Sequence, residues 1–267
     1  MDRVRGEAVA GMFYPESPDV LERMVRGMLS QYTGGEVTQP KALIVPHAGY
    51  VYSGQAAADA FACLSGFADS IERVVLLGPA HRVAIRGLAL PGVDWFRSPL
   101  GAVAIDAQGV LAISSLPQVV TSAQAHTAEH SLEVELPFLQ AVLGSFTLVP
   151  LVVGAASDEE VAEVIEALWG GPETLIVVSS DLSHFLSDEN ATATDQETVQ
   201  SILDLRPLVS HHQACGATPI NGLLLAARHH QLRGRLIALC NSGDTAGDRA
   251  RVVGYGSFAF SEESGHE

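Results

Sequence analysis

The chain has 267 residues, with 15 basic side chains against 31 acidic ones, a formal net charge of −16 and 47% hydrophobic residues. That length suits one large α/β domain with a substantial core, and the charge argues against nucleic acid, whose phosphates would be repelled over the whole surface. Lys41 is the only lysine, so there is no polybasic patch for a membrane, and no apolar run approaches the about 20 residues that span a bilayer.

The first predicted element is a helix opened by Ser17 and Pro18, with Leu21, Met24, Val25, Met28 and Leu29 along one face. Ala42–Val45 is an apolar strand that stops at Pro46 and delivers His47 into the glycine turn "PHAGY". Gln55–Leu64 reads as a helix. Arg73–Leu77 is a second strand, which leaves through Gly78 and Pro79 and delivers His81. Next comes "HTAEH", formally an H-x-x-E-H. On a helix, His126 and His130 would share a face, and Glu129 would be the base of an inverted zinc peptidase. No third ligand accompanies that motif, and it leaves the strand-end histidines unexplained. His130 and Glu133 therefore read better as polar groups lining a pocket on a helix interrupted by Pro137.

Leu148–Val153 is the third strand. Ser157 and Glu160 form a capping box before Val161, Val164, Ile165 and Leu168, and Gly170 with Gly171 ends that helix. The fourth strand, Leu175–Val178, ends in Ser179, Ser180 and Asp181, with His184 three residues on. Cys215 precedes the helix Ile220–His230 and is either a thiol whose pKa the helix start lowers, fit for a ligand or nucleophile, or a small buried residue packing where the backbone turns at Gly216. The fifth strand, Leu236–Leu239, runs into Cys240, Asn241, Ser242 and Asp244, a tight polar turn that either orients ligands or simply leads to the last strand, Val252–Phe260. His211, His212, His229 and His230 lack a strand-end position and read as structural or exposed. The polar tail, residues 261–267, is expected to be disordered.

Met1–Pro15 has no continuous apolar stretch of signal-peptide length. The cysteines, Cys63, Cys215 and Cys240, are sparse and form no C-x-x-C pair, which fits a reducing compartment. The expectation is a soluble cytoplasmic protein. Strands nearly continuous in Val, Ile and Leu alternate with helices, which predicts a single α/β domain over residues 1–260 with a mixed, mostly parallel sheet flanked by helices.

In such sheets ligands bind beyond the carboxyl ends of the strands. A single histidine after a strand can do no more than bond a neighbouring carbonyl, and Asp181 alone could be an N-cap. Four strands that carry metal-competent residues at the same end point further. Two imidazoles with a carboxylate or thiolate match common ligand sets for iron, zinc or copper.

Several longer motifs, "AVAGMFYP", "PHAGYVYSG", "LLGPAH", "EHSLEVELPFLQ", "SSDLSHF", "CGATPI" and "NSGDTAGDRARVVGY", together resemble the Memo family, protein B of AmmeMemoRadiSam systems, over essentially the whole chain. That family is similar in fold to the class III extradiol, LigB-like dioxygenases, which hold non-haem Fe(II) with two histidines and a glutamate. The resemblance implies His47 and His81 as metal ligands, Cys215 in the glutamate's place, His184 as acid–base and Asp181 beside it. A thiolate shifts preference toward softer ions, so copper and zinc stand beside Fe(II) as candidate cofactors. The expected function is a metal-dependent, dioxygenase-like oxidoreductase for a small organic substrate, aromatic where Tyr50, Tyr52 and Phe185 pack it. Trp95 reads as core. The alternative is a non-catalytic metal-binding or peptide-binding module. Companion proteins of the AmmeMemoRadiSam system are the candidate partners.

Overall fold

The four runs richest in Val, Ile and Leu lie side by side at the centre of one mixed sheet. The computed structural model describes residues 3–35, 38–208 and 210–262. Among these the strands are β1 (Val4–Arg5), β2 (Ala42–Val45), β3 (Arg73–Pro79), β4 (Leu88–Leu90), β5 (Trp95–Ser98), β6 (Gly101–Ile105), β7 (Val119–Thr121), β8 (Thr147–Val153), β9 (Thr174–Ser179), β10 (His184–Leu186), β11 (Arg233–Asn241) and β12 (Val252–Ser261). The helices are α1 (Pro18–Leu29), α2 (Tyr50–Ala62), α3 (Ala107–Ile113), α4 (Ala123–Thr127), α5 (Leu136–Val142), α6 (Asp158–Ala167), α7 (Asp188–Leu203) and α8 (Ala217–His229).

The central order is β8-β3-β9-β2, all parallel. Side chains alternate between its two faces, as a strand's period of two requires. On β3, Val74 and Leu76 join one hydrophobic cluster while Val75 and Leu77 join the other. The first cluster is closed by Leu21 and Val25 of α1, Phe61 of α2 and Phe138 of α5. Val161 and Ile165 of α6, Ile202 of α7 and Leu223 of α8 close the second. Both faces are dry, which is why these strands read as unbroken apolar runs. Each buried Leu, Ile or Val contributes about 1.5–3 kcal/mol.

β2 pairs antiparallel with β12, which also carries β11 and β10. Here one expectation fails. Leu236–Leu239 is not a doubly covered strand: it lies at an antiparallel edge, half-buried, with Leu239 exposed. The capping box of Ser157 and Glu160 is present at the start of α6. By contrast, the stretch after His130 is no single helix; a 3-10 turn at Glu133–Glu135 gives way to α5, with Pro137 in its first turn. Ser261 closes β12, and the rest of the predicted tail, from residue 263, lies outside the described residues. Among the described residues no helix is long and apolar enough to cross a membrane.

One feature of the topology positions the chemistry. β9 lies between β2 and β3, so Ser179–Asp181 emerge between the ends that deliver His47 and His81.

Candidate metal centre

β2 ends at Val45, and α2 starts at Tyr50, five residues earlier than the apolar pattern predicted. His47 is therefore held in a short link rather than a loose loop. Its backbone N–H donates to Asp181 Oδ1 at 2.8 Å, while Ser180 N donates to Val45 O at 2.8 Å and ties the ends of β9 and β2 together. The His47 ring is buried, with Nδ1 2.7 Å from Ser179 Oγ. That hydroxyl donates its own hydrogen to Glu135 Oε1 at 3.0 Å. Nδ1 must then carry the proton, which leaves a lone pair on Nε2. Nε2 lies 3.3 Å from Cys215 Sγ.

His81 is fixed by Glu129. One carboxylate oxygen accepts from His81 N at 2.6 Å and the other from His81 Nδ1 at 2.9 Å, so Nε2 is the ring nitrogen left for a ligand. The third imidazole is His130, whose ring stacks on that of His81 with centroids 4.7 Å apart and lies 5.4 Å from that of His47. Its Nδ1 is 3.3 Å from Glu129 Oε1 but outside hydrogen-bonding geometry, which leaves a buried nitrogen without a partner. Ligand-capable nitrogens of His47, His81 and His130 all lie within 4.8 Å of one another.

Cys215 arrives by a close approach of backbone to backbone. Cys215 N donates to Asp181 O, and Gly216 N donates to Ser180 Oγ at 2.8 Å. A Cβ on Gly216 would stand 2.7 Å from the Ser180 Cβ, so only glycine lets α8 begin here. The expected lowering of the thiol pKa is overturned. Burial, reinforced by the Asp181 charge, pushes it up to about 12, and the helix start does not offset this.

Burial likewise disfavours protonation of the imidazoles. It holds His47 well below the usual histidine range, helped by His130 and His81, and brings His130 down to about 4 against the pull of Glu129. His47 and His130 are thus neutral near pH 7, the form in which imidazole ligates a metal. Burial would raise the Glu129 carboxyl, but the hydrogen bonds from His81 outweigh it and bring the group down to about 2. Asp181 is pushed up to about 7 by burial, against the backbone N–H groups of His47 and Ala48. His184 donates from Nδ1 to Leu182 O at 2.8 Å and is kept below its ordinary pKa by burial and by His81.

The remaining expected residues are dispersed. Tyr50 is core rather than pocket: its hydroxyl donates to Val134 O, and its ring packs on Tyr14 and Phe138. Glu133 does not line the pocket either, because its carboxylate is spent on Arg5, the backbone of Ala8 and Val9, and Tyr14. Asn241 and Ser242 build a turn: Asn241 caps Gly243 N and bonds Asp188, and Ser242 Oγ accepts from Val253 N. None of these bonds reaches the imidazoles. Phe185 is exposed, at φ 61°, with Arg251 over its ring.

The zinc-peptidase reading falls with its helix. α4 stops at Thr127, and His126 Nε2 bonds Ala89 O, away from His130. Glu129 instead orients His81, a role that local sequence did not signal. His211, read as structural or exposed, stands at the rim, where its Nδ1 donates to Cys215 O at 3.1 Å. It joins His81, Cys215, Thr218, Ile85 and Ala156 around a cleft of about 430 Å³.

A model of the Memo-like protein family matches residues 5–259. The chain belongs to the Memo-like family. A MEMO1 family protein of Aquifex aeolicus is 34% identical over 271 residues, covering 97% of this chain and 99% of its own. One from Archaeoglobus fulgidus is also 34% identical, over 275 residues, covering 96% and 99%. The crystal structure of an uncharacterized protein, JW3007, from Escherichia coli K12 shares the fold at a TM-score of 0.53 and 14% identity, covering 83% of this chain and 99% of that one. The Memo-like match spans both halves of the centre, from the link after β2 to the start of α8.

Proposed function

We propose that this Memo-like protein is a metal-dependent, dioxygenase-like oxidoreductase, with His47, His81 and Cys215 as ligands for Fe(II) and a small aromatic molecule as substrate. One observation carries the reading: ring nitrogens of His47 and His81, from separate strand ends, lie within 4.8 Å of each other and of His130, and the Cys215 sulfur is 3.3 Å from His47 Nε2. The residues fit a cation. His47 and His81 are each held through Nδ1, which leaves Nε2 for a cation, and the unpartnered His130 Nδ1 marks a buried polar site lacking one contact. Bound Fe(II) would supply one-electron chemistry toward dioxygen and polarise a phenol oxygen.

The chain's own groups would do the rest. His184 holds its Nδ1 hydrogen on Leu182 O, so its Nε2 is the base for a phenol-like proton. Asp181 anchors the His47 backbone and keeps a carboxyl close to neutrality beneath the same loop, a second place for a proton. Substrate would enter by the cleft between His81 and Cys215.

The test is anaerobic loading with Fe(II), then oxygen uptake across catechols and related phenols. We expect substrate-dependent uptake that His47→Ala abolishes and His184→Gln slows without loss of iron. No uptake by fully loaded protein would sink the oxidoreductase. Cys215 itself favours the second reading, a metal-holding module for copper or zinc, because a thiolate is the softer ligand. That reading expects tight binding of those ions with no turnover.

A further inference from the structure

A second cluster lies at the far end of α8. Its C-terminal histidines meet Glu166 from the last turn of α6: His229 Nδ1 is 2.8 Å from Glu166 Oε1, and His230 Nε2 is 2.8 Å from Glu166 Oε2. The three donors lie within 4.8 Å of one another. We propose that Glu166, His229 and His230 form a site for a divalent transition cation such as Zn2+ or Cu2+, clamping the end of α8 to α6.

Several features beyond the cluster favour a cation. Two helices, α6 and α8, end here together, so the negative ends of both dipoles face the site. Arg228, the nearest cation on the same turn, is directed away to the Leu205 carbonyl. His230 is held flat on Trp169, with centroids 3.8 Å apart and planes 7° apart, so one ligand ring is fixed in advance. Lys41, 5.1 Å from the centre of the Trp169 ring, is occupied by the carbonyls of Trp169, Gly171 and Thr174. A cation would take the place of the two shared hydrogens, with one carboxylate oxygen, two imidazole nitrogens and water completing its shell. Imidazole and carboxylate are suitable donors for zinc and copper. The helices are packed tightly enough to hold this geometry, since a Cβ on Gly222 of α8 would collide with Val161 of α6.

This site is independent of the first. α8, 13 residues long, separates them by roughly 20 Å at 1.5 Å per residue. Trp169 reports on the second site alone once Trp95→Phe removes the other tryptophan.

Titration of Trp95→Phe protein with Cu2+ should quench the Trp169 emission saturably at one equivalent. The quenching should persist when His47→Ala and His81→Ala disable the first centre. Glu166→Gln with His229→Ala, which keeps the His230–Trp169 stack, should abolish it. Separately, Zn2+ should raise the melting temperature of protein carrying His47→Ala and His81→Ala, and this shift should vanish in the Glu166→Gln, His229→Ala version. Absence of saturable quenching, or quenching unchanged by Glu166→Gln with His229→Ala, overturns the proposal. If the first centre were no metal site, the quenching would be unaffected, so the two readings fail separately.

Discussion

At the start of α8, His47 is buried with its Nδ1 on Ser179 and its Nε2 beside Cys215; at the end of the same helix, His229 stands in solvent with its Nδ1 on Glu166. The first cluster is built inward. Burial disfavours the charge of His47 and His130, and the orientation of His47 and His81 depends on hydrogen bonds to Ser179 and Glu129, which are themselves buried. The second is built outward, held by one shared carboxylate in water. The difference shows that similar donors can make a centre whose properties depend on the surrounding groups or one that depends on its ligands alone. Changing the supporting residues should separate the two.

The largest effect is expected from the ligands of the inner cluster. His47→Ala or His81→Ala should weaken cation binding beside Cys215 by more than 100-fold, beyond the roughly 10–100-fold that supporting groups cost. Titration with Co2+, read by its thiolate charge-transfer band, measures this centre only. His229→Ala should leave that band unchanged. A comparable loss from His229→Ala would erase the distinction between the two ends.

Next comes the supporting carboxylate. Glu129→Gln should cost about 10–100-fold in affinity, because both oxygens of Glu129 position His81. The same substitution has an acid signature. The Glu129 pKa lies below its ordinary value, so its stabilisation is complete above the unfolded value of 4.5 and is lost as pH falls toward about 2. Acid unfolding followed by circular dichroism should show this loss in the wild type and not in Glu129→Gln.

The thiol provides the third test. With Cys215 pushed up to about 12, a cation must displace its proton, whereas the neutral His47 and His130 have none to give up at pH 8. Binding at pH 8 should release about one proton, and affinity should rise about tenfold per pH unit while the free thiol stays protonated. Calorimetry in buffers of different ionisation enthalpy counts the proton. Cys215→Ala should abolish the release, and release that survives this substitution would assign the proton elsewhere.

These sites were not equally legible in the sequence. Strands β2, β3, β8 and β9 could be read almost to the residue because both faces are dry, and the turns after them delivered His47, His81 and Asp181 to one end. β11 misled because an apolar run at an edge strand looks the same as a buried one. α7 escaped because its inner face carries Asp195 and Thr198 among its apolar residues, and its periodicity is weak. His130 was read as lining the pocket, but its stacking on His81 could not be foreseen, since its position depends on α4 ending at Thr127. Ser179, Glu135 and Glu129 matter through contacts across 44 to 132 residues, which no local spacing encodes. Tyr50 and Glu133 were drawn to the pocket by their proximity to good motifs; their side chains turn to the core and to Arg5.

The smallest effect should come from the outer carboxylate in the absence of metal. Glu166 is half-buried, burial raises its carboxyl, and the hydrogen bonds of His229 and His230 lower it by more. Solvent around His229 screens that gain, and exposed pairs of this kind are worth at most about 1 kcal/mol. A glutamine can still accept one of the two bonds, and the His230–Trp169 stack does not involve the carboxylate. Glu166→Gln should therefore lower the melting temperature of chelator-treated protein by no more than about 4 °C, a difference that shrinks with added salt. A larger, salt-independent loss would mean that the carboxylate acts as a buried group, and the outer cluster would then be built on the same plan as the inner one.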